Sequence, residues 1–304
     1  MKLAELPLIE IRRQLRSSGL CFQCGPFTTR LHSDLLEFFP AQIHHLHAHY
    51  PLVKDNSFSD FHVHLLRHGN RWRSQLRFWI EDEEMPFGLF PLDTALPFLE
   101  WGLNWCVATR AHQFLMLHAG VLEKSGQTLL LPAHPGSGKS TLCAALMHRG
   151  WRFLSDEFAL VRWKDTAVLP FPRPISLKND SIAAIRAFAP EAVMGPEFPK
   201  TPKGTVSHLR PFRESIERSD EPGRVRWIVF PRFQTNSSLR LEPIKKAQAF
   251  LQLTTHSFNY GLCGLRGFES VSRLIDACDC YTFEYGGDLE QAVTQLNALA
   301  EGLI

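Results

Sequence analysis

The 304-residue chain has no apolar run long enough to span a bilayer, so a membrane role is not expected. It has almost no net charge. Its 33 Lys and Arg against 31 Asp and Glu leave +2, too weak a field to draw nucleic acid. It lacks the ligand spacings of common metal sites: Cys21 and Cys24 form a lone C-x-x-C, Cys278 and Cys280 a distant C-x-C, and no further pair stands near either to complete a zinc site. Seven cysteines, an odd count in a long chain, fit buried reduced thiols. His44, His45, His47 and His49 cluster without an H-E-x-x-H or related pattern, so a solvated helix face or loop is expected, with metal binding the weaker alternative. The first sixteen residues set Glu5 and Glu10 among Lys2, Arg12, Arg13 and Arg16 and lack the apolar centre of a signal peptide, which points to a cytoplasmic protein. No internal repeat or low-complexity segment occurs. The composition is that of a globular chain, 44% hydrophobic and 21% charged, long enough for two domains.

Against these absences stands His134-Pro135-Gly136-Ser137-Gly138-Lys139-Ser140-Thr141. Read from Ala133, it approaches the phosphate-loop pattern Gly-x-x-x-x-Gly-Lys-[Ser/Thr], the Walker A motif, with Ala133 in place of the first glycine. An apolar β-like run, 127–131, precedes it; a helical run, 142–147, follows it and stops at Arg149-Gly150. A strand, a glycine-rich turn and a helix start are what phosphate binding requires, because backbone N–H groups and the helix N-terminus hold the oxygens. Lys139 is then expected at the terminal phosphates and Ser140 on Mg²⁺. The alternative is an ordinary Gly-Ser turn before a helix.

Along the chain, residues 60–67 and 71–80 alternate apolar and polar about the turn His68-Gly69-Asn70, which predicts a hairpin with Trp72, Leu76, Phe78 and Ile80 on one face. The run Glu81-Asp82-Glu83-Glu84 reads as an exposed turn. A helix is expected from near Pro97 to Arg110, and the boundary between two domains, 1–94 and 95–304, is placed just before it. A short buried strand follows at 114–118. Residues 171–178 form an extended Pro-rich stretch presenting Arg173 and Lys178 to phosphate or acceptor, with a solvated loop the alternative. Residues 195–213 carry Pro196, Pro199, Pro202 and Pro211, which argues against a regular helix or a central strand. Four cations against Glu197, with Gly204 as a hinge, suggest a mobile lid in which Lys203 reaches the phosphates; a plain surface excursion is the alternative. Helices are expected at 181–188, 246–253, 270–276 and 289–303, and strands at 226–230 and 280–285.

One helix after the loop, Asp156-Glu157 ends the apolar run that starts at Trp151. A carboxylate there can hold Mg²⁺ or take the proton of an attacking hydroxyl. An exposed turn is again the alternative. The order His118-Ala119-Gly120-Val121, then Gly136 to Ser140, then His148 to Glu157 resembles the HPr kinase/phosphorylase family, in which a His-Gly-Val element precedes the phosphate loop and an Asp-Asp pair follows it. Residues 99–106 and 172–179 resemble more narrowly the HPr-kinase-related proteins called HprK-related kinase A.

The resemblance, over roughly residues 95–270, implies an α/β fold shared with phosphoenolpyruvate carboxykinases, a mixed sheet with the phosphate loop at its edge, beside a smaller N-terminal α+β domain. It implies ATP, Mg²⁺ and transfer of a phosphoryl group to a hydroxyl, typically a serine of a protein or peptide. Asp156 matches the first acidic residue of the family pair, Glu157 replaces the second, and His118 matches the family histidine near the phosphates. On this reading His134 to Thr141 bind the nucleotide, Ser140, Asp156 and Glu157 hold the metal, and His118, Lys139 and Asp156 serve catalysis. Taken alone, His118 reads as a satisfied core histidine. A small-molecule hydroxyl kinase and a nucleotide-dependent switch without acceptor are the other readings. A homo-oligomer is compatible with all three.

Overall fold

The predicted hairpin forms, and a sheet grows around it. The structure, a computed structural model, describes residues 1–54, 57–70, 74–81 and 83–303. Arg71, Trp72 and Arg73, predicted to open the second strand, and Asp82 of the acidic run lie outside the described residues. The first elements are α1 (Leu8–Arg16), β1 (Leu20–Cys24), β2 (Phe27–Ser33), α2 (Phe39–Leu46), β3 (Phe61–His68), β4 (Gln75–Ile80), β5 (Glu83–Glu84), β6 (Phe90–Pro91) and α3 (Ala95–Arg110). The sheet order is β1-β2-β3-β4-β5, with β6 also on β4. Val63 and Leu65 face Ile80 and Phe78 across the ladder, and all four are buried, as period-two alternation demands. β2 and β3 run parallel, so a crossover joins them, and α2 lies in it. Around this sheet lies a core that includes Leu96, Phe98, Leu99 and Leu103 of α3 together with Phe158, Phe171 and Phe198 from later in the chain.

The next elements are β7 (Leu115–Lys124), β8 (Gln127–Pro132), α4 (Lys139–Met147), β9 (Arg152–Ser155), β10 (Phe158–Val161), β11 (Val168–Leu169), β12 (Ile175–Lys178), α5 (Asp180–Phe188), β13 (Phe198–Thr201), β14 (Gly204–Leu209), α6 (Arg213–Glu217), β15 (Val225–Phe233), β16 (Arg240–Pro243), α7 (Lys246–Thr255), α8 (Gly264–Ala277), β17 (Asp279–Tyr285) and α9 (Leu289–Ala300). An eight-stranded sheet runs β11-β10-β7-β8-β15-β17-β16, with β9 also on β7. It is mixed: β8–β15 and β15–β17 are parallel, β7–β8 antiparallel. Side chains alternate between its faces. Leu129 and Leu131 pack with Leu142, Leu146, Val293 and Leu296, whereas Leu130 packs with Leu253, Val271 and Leu274. Helices therefore cover both faces, an α/β architecture.

Two expectations are corrected here. The loop before α4 is not at the sheet's edge, because β8, which feeds it, lies in the interior of the strand order. Residues 195–213 are not one long loop either. β12, β14 and β13 form a three-stranded antiparallel sheet, and β14 is its central strand, with Val206, Ser207, His208 and Leu209 buried. The prolines fall outside β14: Pro199 is on the edge strand β13 and Pro202 in the turn, where Gly204 adopts φ +82°. The strand at 114–118 is longer than expected, since β7 continues to Lys124. Pro231 sits within β15, beyond the point where pairing with β8 ends at Ile228, so its missing N–H breaks no ladder on that side. Among the described residues no helix is long and apolar enough to cross a membrane.

Candidate functional site

β8 ends at Pro132 and α4 starts at Lys139, so the six residues between them form a turn at the carboxyl end of an interior strand. Gly136 and Gly138 take φ +88° and +82°, left-handed values open to glycine at little cost. A Cβ on Gly138 would overlap the Tyr285 hydroxyl, which donates to the Gly138 carbonyl at 3.0 Å. The Phe233 N–H donates to the Ser137 carbonyl at 3.0 Å, and these two bonds hold the turn against β15 and β17. The Gly138, Lys139, Ser140 and Thr141 amides find no acceptor among the described residues, as expected for an uncapped helix start. The Ser137 hydroxyl is buried and also lacks a partner. His134, Pro135 and Gly136 are exposed, Ser140 and Thr141 half-buried.

Lys139 does not reach into open solvent. Its Nζ donates to the Asp156 backbone carbonyl and to the Asp156 carboxylate at 3.1 Å, and both residues are buried. Burial disfavours the ammonium, but the carboxylates of Asp156 and Glu157 outweigh it and hold the Lys139 pKa above its ordinary value. Asp156 and Glu157 occupy the short link between β9 and β10, which both pair with β7 on the side away from β8. His118, on β7, places its Nε2 3.4 Å from Glu157. Burial would raise the Glu157 pKa; the His118 hydrogen bond and Lys139 reverse this and hold its carboxyl well below the usual range.

The sequence contained a signal for one packing device that its motif alone does not explain. Gly120 lies inside β7, and a Cβ there would overlap the Cys143 sulfur and touch Lys139 Cγ. Glycine inside a strand marks a close approach, and here it admits the first turn of α4. His256 was not expected near the loop. Its ring centroid is 4.2 Å from that of His134, its Nδ1 is buried without a partner, and burial, then His134, lower its pKa to about 4.

On the other side of the acidic pair opens a cleft of about 500 Å³, its mouth included. Asp156, Glu157, Lys178 and Lys203 line it, and so do Glu100, Asn104, Arg173, Ser176 and His208, of which Glu100 and His208 are buried. Arg173 is not presented to solvent. It ion-pairs with buried Glu100, donates to the Asn104 side-chain amide oxygen Oδ1, and is itself held strongly cationic by Glu100 against the cost of burial. His47 is 2.9 Å from Glu100 and buried, which corrects the expected solvated histidine face at that position. Lys203, at the β13–β14 turn, puts its Nζ 5.1 Å from the Trp101 ring centroid, within cation–π range. The structure thus brings Asp156, Glu157, Arg173, Lys178 and Lys203 to one cleft, and Lys139 and His118 to its acidic wall. His134 to Gly138, Ser140 and Thr141 line no part of it.

All seven cysteines are free, and all but Cys263 are buried. Among the described residues no group of three or more His, Cys, Asp or Glu is arranged to hold a metal ion. Scanned against protein-family models, the chain matches none, and a search of the curated proteins returns no match.

Proposed function

We propose that the chain is an ATP- and Mg²⁺-dependent phosphotransferase of the HPr-kinase-like class, carrying the γ-phosphoryl group to a hydroxyl in the cytosol. The observation that carries this reading is the interior strand, left-handed glycine turn and helix start, whose unpaired amides and orphaned Ser137 hydroxyl stand next to the buried Lys139–Asp156 pair. Such donors suit phosphate oxygens. The core would then be a phosphoenolpyruvate-carboxykinase-like mixed sheet, with the loop on an interior strand and not at the edge.

Ser140 and the carboxylates of Asp156 and Glu157 are the groups that would hold Mg²⁺, which needs only one or two protein ligands beside phosphate and water. Bound there, the ion supplies charge neutralisation at the transferring phosphoryl group. Lys139 exchanges part of its contact with Asp156 for phosphate and stabilises the charge that develops there. Asp156 orients the acceptor hydroxyl and receives its proton, while His118 keeps Glu157 ionised and fixed.

The test is a single-turnover assay with labelled ATP at saturating Mg²⁺. Asp156→Asn is expected to slow turnover by about 10²–10⁴-fold and to change nucleotide affinity less. Glu157→Gln is expected to be milder. The reverse order would transfer the proton-accepting role to Glu157, and unchanged turnover in both variants would remove the site. The resemblance points to a serine of a protein or peptide as acceptor. A second reading, a small-molecule hydroxyl kinase, is favoured by the cleft that Asp156 and Glu157 line together with Lys178, Lys203, Ser176 and His208.

A further inference from the structure

Three carboxylates, Glu100, Asp156 and Glu157, and three cations, Arg173, Lys178 and Lys203, line this cleft, and they are not all paired with one another. Glu100 is paired with Arg173 and His47, Asp156 with Lys139, and Glu157 with His118. Lys178 and Lys203 have no ion-pair partner among the described residues. Lys139 holds Asp156 from the loop side and the Ala133 N–H donates to the His118 carbonyl at 3.4 Å, but among the described residues none of 133–141 lines the cleft. Lys178 and Lys203, the second over the Trp101 ring, line the cleft with Glu157 as the nearest opposing charge, and the candidate phosphate loop does not line it.

The lining includes two unused polar groups. His208 is fully buried on β14 with both ring nitrogens unpartnered, and the Ser176 hydroxyl on β12 is buried and unpartnered beside it in the same wall. Buried polar groups are normally hydrogen-bonded, and one that faces a cavity is satisfied by what enters. A serine side chain ends at its hydroxyl and would leave both groups unmet. A compound of a few carbons, polar along its length, would meet them.

We propose that the cleft is the acceptor subsite for a small hydroxyl compound that also carries a carboxylate or phosphate group. The anionic group lies between Lys178 and Lys203, as charge-assisted pairing favours. A second polar group of the compound meets Ser176 and His208, since imidazole and hydroxyl can each donate and accept. The reacting hydroxyl then stands at Asp156 and Glu157. This last placement rests on the phosphotransferase reading. In the transfer the hydroxyl oxygen forms a bond to the γ-phosphorus, the bond from that phosphorus to the β,γ-bridging oxygen breaks, and ADP leaves with the electron pair. The hydroxyl proton passes to the Asp156 carboxylate.

Two measurements on the full chain separate the subsite from the chemistry. The first is calorimetric titration without nucleotide, using D-glycerate, glycerol 3-phosphate, uncharged glycerol, and a short serine peptide with blocked ends. At least one of the two anions is expected to bind about tenfold or more tighter than glycerol and the peptide, and Lys203→Met to cost about tenfold of that affinity. Lys203 is an exposed turn residue whose replacement removes the Trp101 cation–π contact and no ion pair among the described residues, and urea unfolding checks that the variant is folded; Ser176→Ala is the second variant and is expected to weaken the same anion. Glycerol binding as tightly as the anions, no binding of any probe, or wild-type affinity in both variants would overturn the proposal. The second measurement is label transfer from ATP with Mg²⁺ to each probe. Anion binding with no turnover of ATP under any condition would remove the phosphotransferase reading and leave the anion subsite standing. Transfer to the serine peptide, with no anion bound, would overturn the subsite and leave the phosphotransferase reading standing.

Discussion

On one side of Asp156 the hydrogen-bond donors are main-chain amides from a single run, 138–141, fixed by a glycine turn and a helix start. On the other side they are side chains from separate stretches: Asn104 on α3, Ser176 and Lys178 on β12, Lys203 in a turn and His208 on β14. The first side depends on local backbone geometry and tolerates changes in the side chains around it. The second depends on three elements keeping their places, and the buried Glu100–Arg173 pair ties α3 to the stretch before β12 to do so. The two sides meet at Asp156, whose carboxylate Lys139 holds from the loop side.

Three perturbations probe that contrast. The largest effect is expected at the junction. Lys139→Ala removes a cation from the phosphate side and also leaves Asp156 buried without its partner. Transfer is expected to fall by about 10²–10³-fold, and unfolding stability in urea by about 3–5 kcal/mol, the range for breaking a buried pair. Wild-type turnover and wild-type stability together would contradict the junction.

The next effect belongs to the side-chain-built side. Burial lowers the His208 pKa from 6.5 to about 4. Between these values the unfolded chain binds more protons at this position than the folded one, so stability falls as pH drops from 6.5 to 4. The gap corresponds to about 3 kcal/mol. Urea unfolding at pH 7 and pH 4.5 is expected to show this loss, shared with His256, and His208→Asn is expected to flatten its own part of it. An unchanged pH slope in the variant would show that His208 is not held neutral by the fold.

The smallest effect is expected on the backbone-built side. Tyr285→Phe deletes the bond to the Gly138 carbonyl and keeps the ring packed on Phe283. A cost of about 1 kcal/mol in stability is expected, with nucleotide affinity reduced a few-fold at most because the glycine turn persists. A larger loss of affinity than Lys139→Ala produces would mean that Tyr285, rather than the turn itself, maintains the loop.

The same contrast explains what could be read without a structure. β8, the loop and α4 were legible because an apolar run, glycines and a helical run are neighbours in sequence. The acidic pair was legible because only one helix separates it from the loop. The cleft was not. Glu100 and Arg173 are distant in sequence and give no local signal of their pairing, and Asn104 lies within the helix expected from near Pro97 to Arg110 with nothing local to mark its contact with Arg173. β14 was hidden by counting prolines over the whole of 195–213, whereas none falls within Gly204–Leu209. His208 falls inside the stretch that reads as a lid or a surface excursion, yet it lies in a buried central strand. Gly120 falls past the strand expected at 114–118, and both the strand's extension to Lys124 and the helix that approaches the glycine appear only in three dimensions.

The central claim is that the turn and the first turn of α4 bind the phosphates of ATP. It is tested most directly by titrating Mg²⁺–ATP into ¹⁵N-labelled protein and following the amide resonances of Gly136, Gly138, Lys139, Ser140 and Thr141. The account predicts that these amides shift together and saturably, with the largest changes at Gly138, Lys139 and Ser140, and that Lys139→Ala weakens the response. Amides that stay in place at saturating Mg²⁺–ATP, in a chain that remains folded, would contradict it.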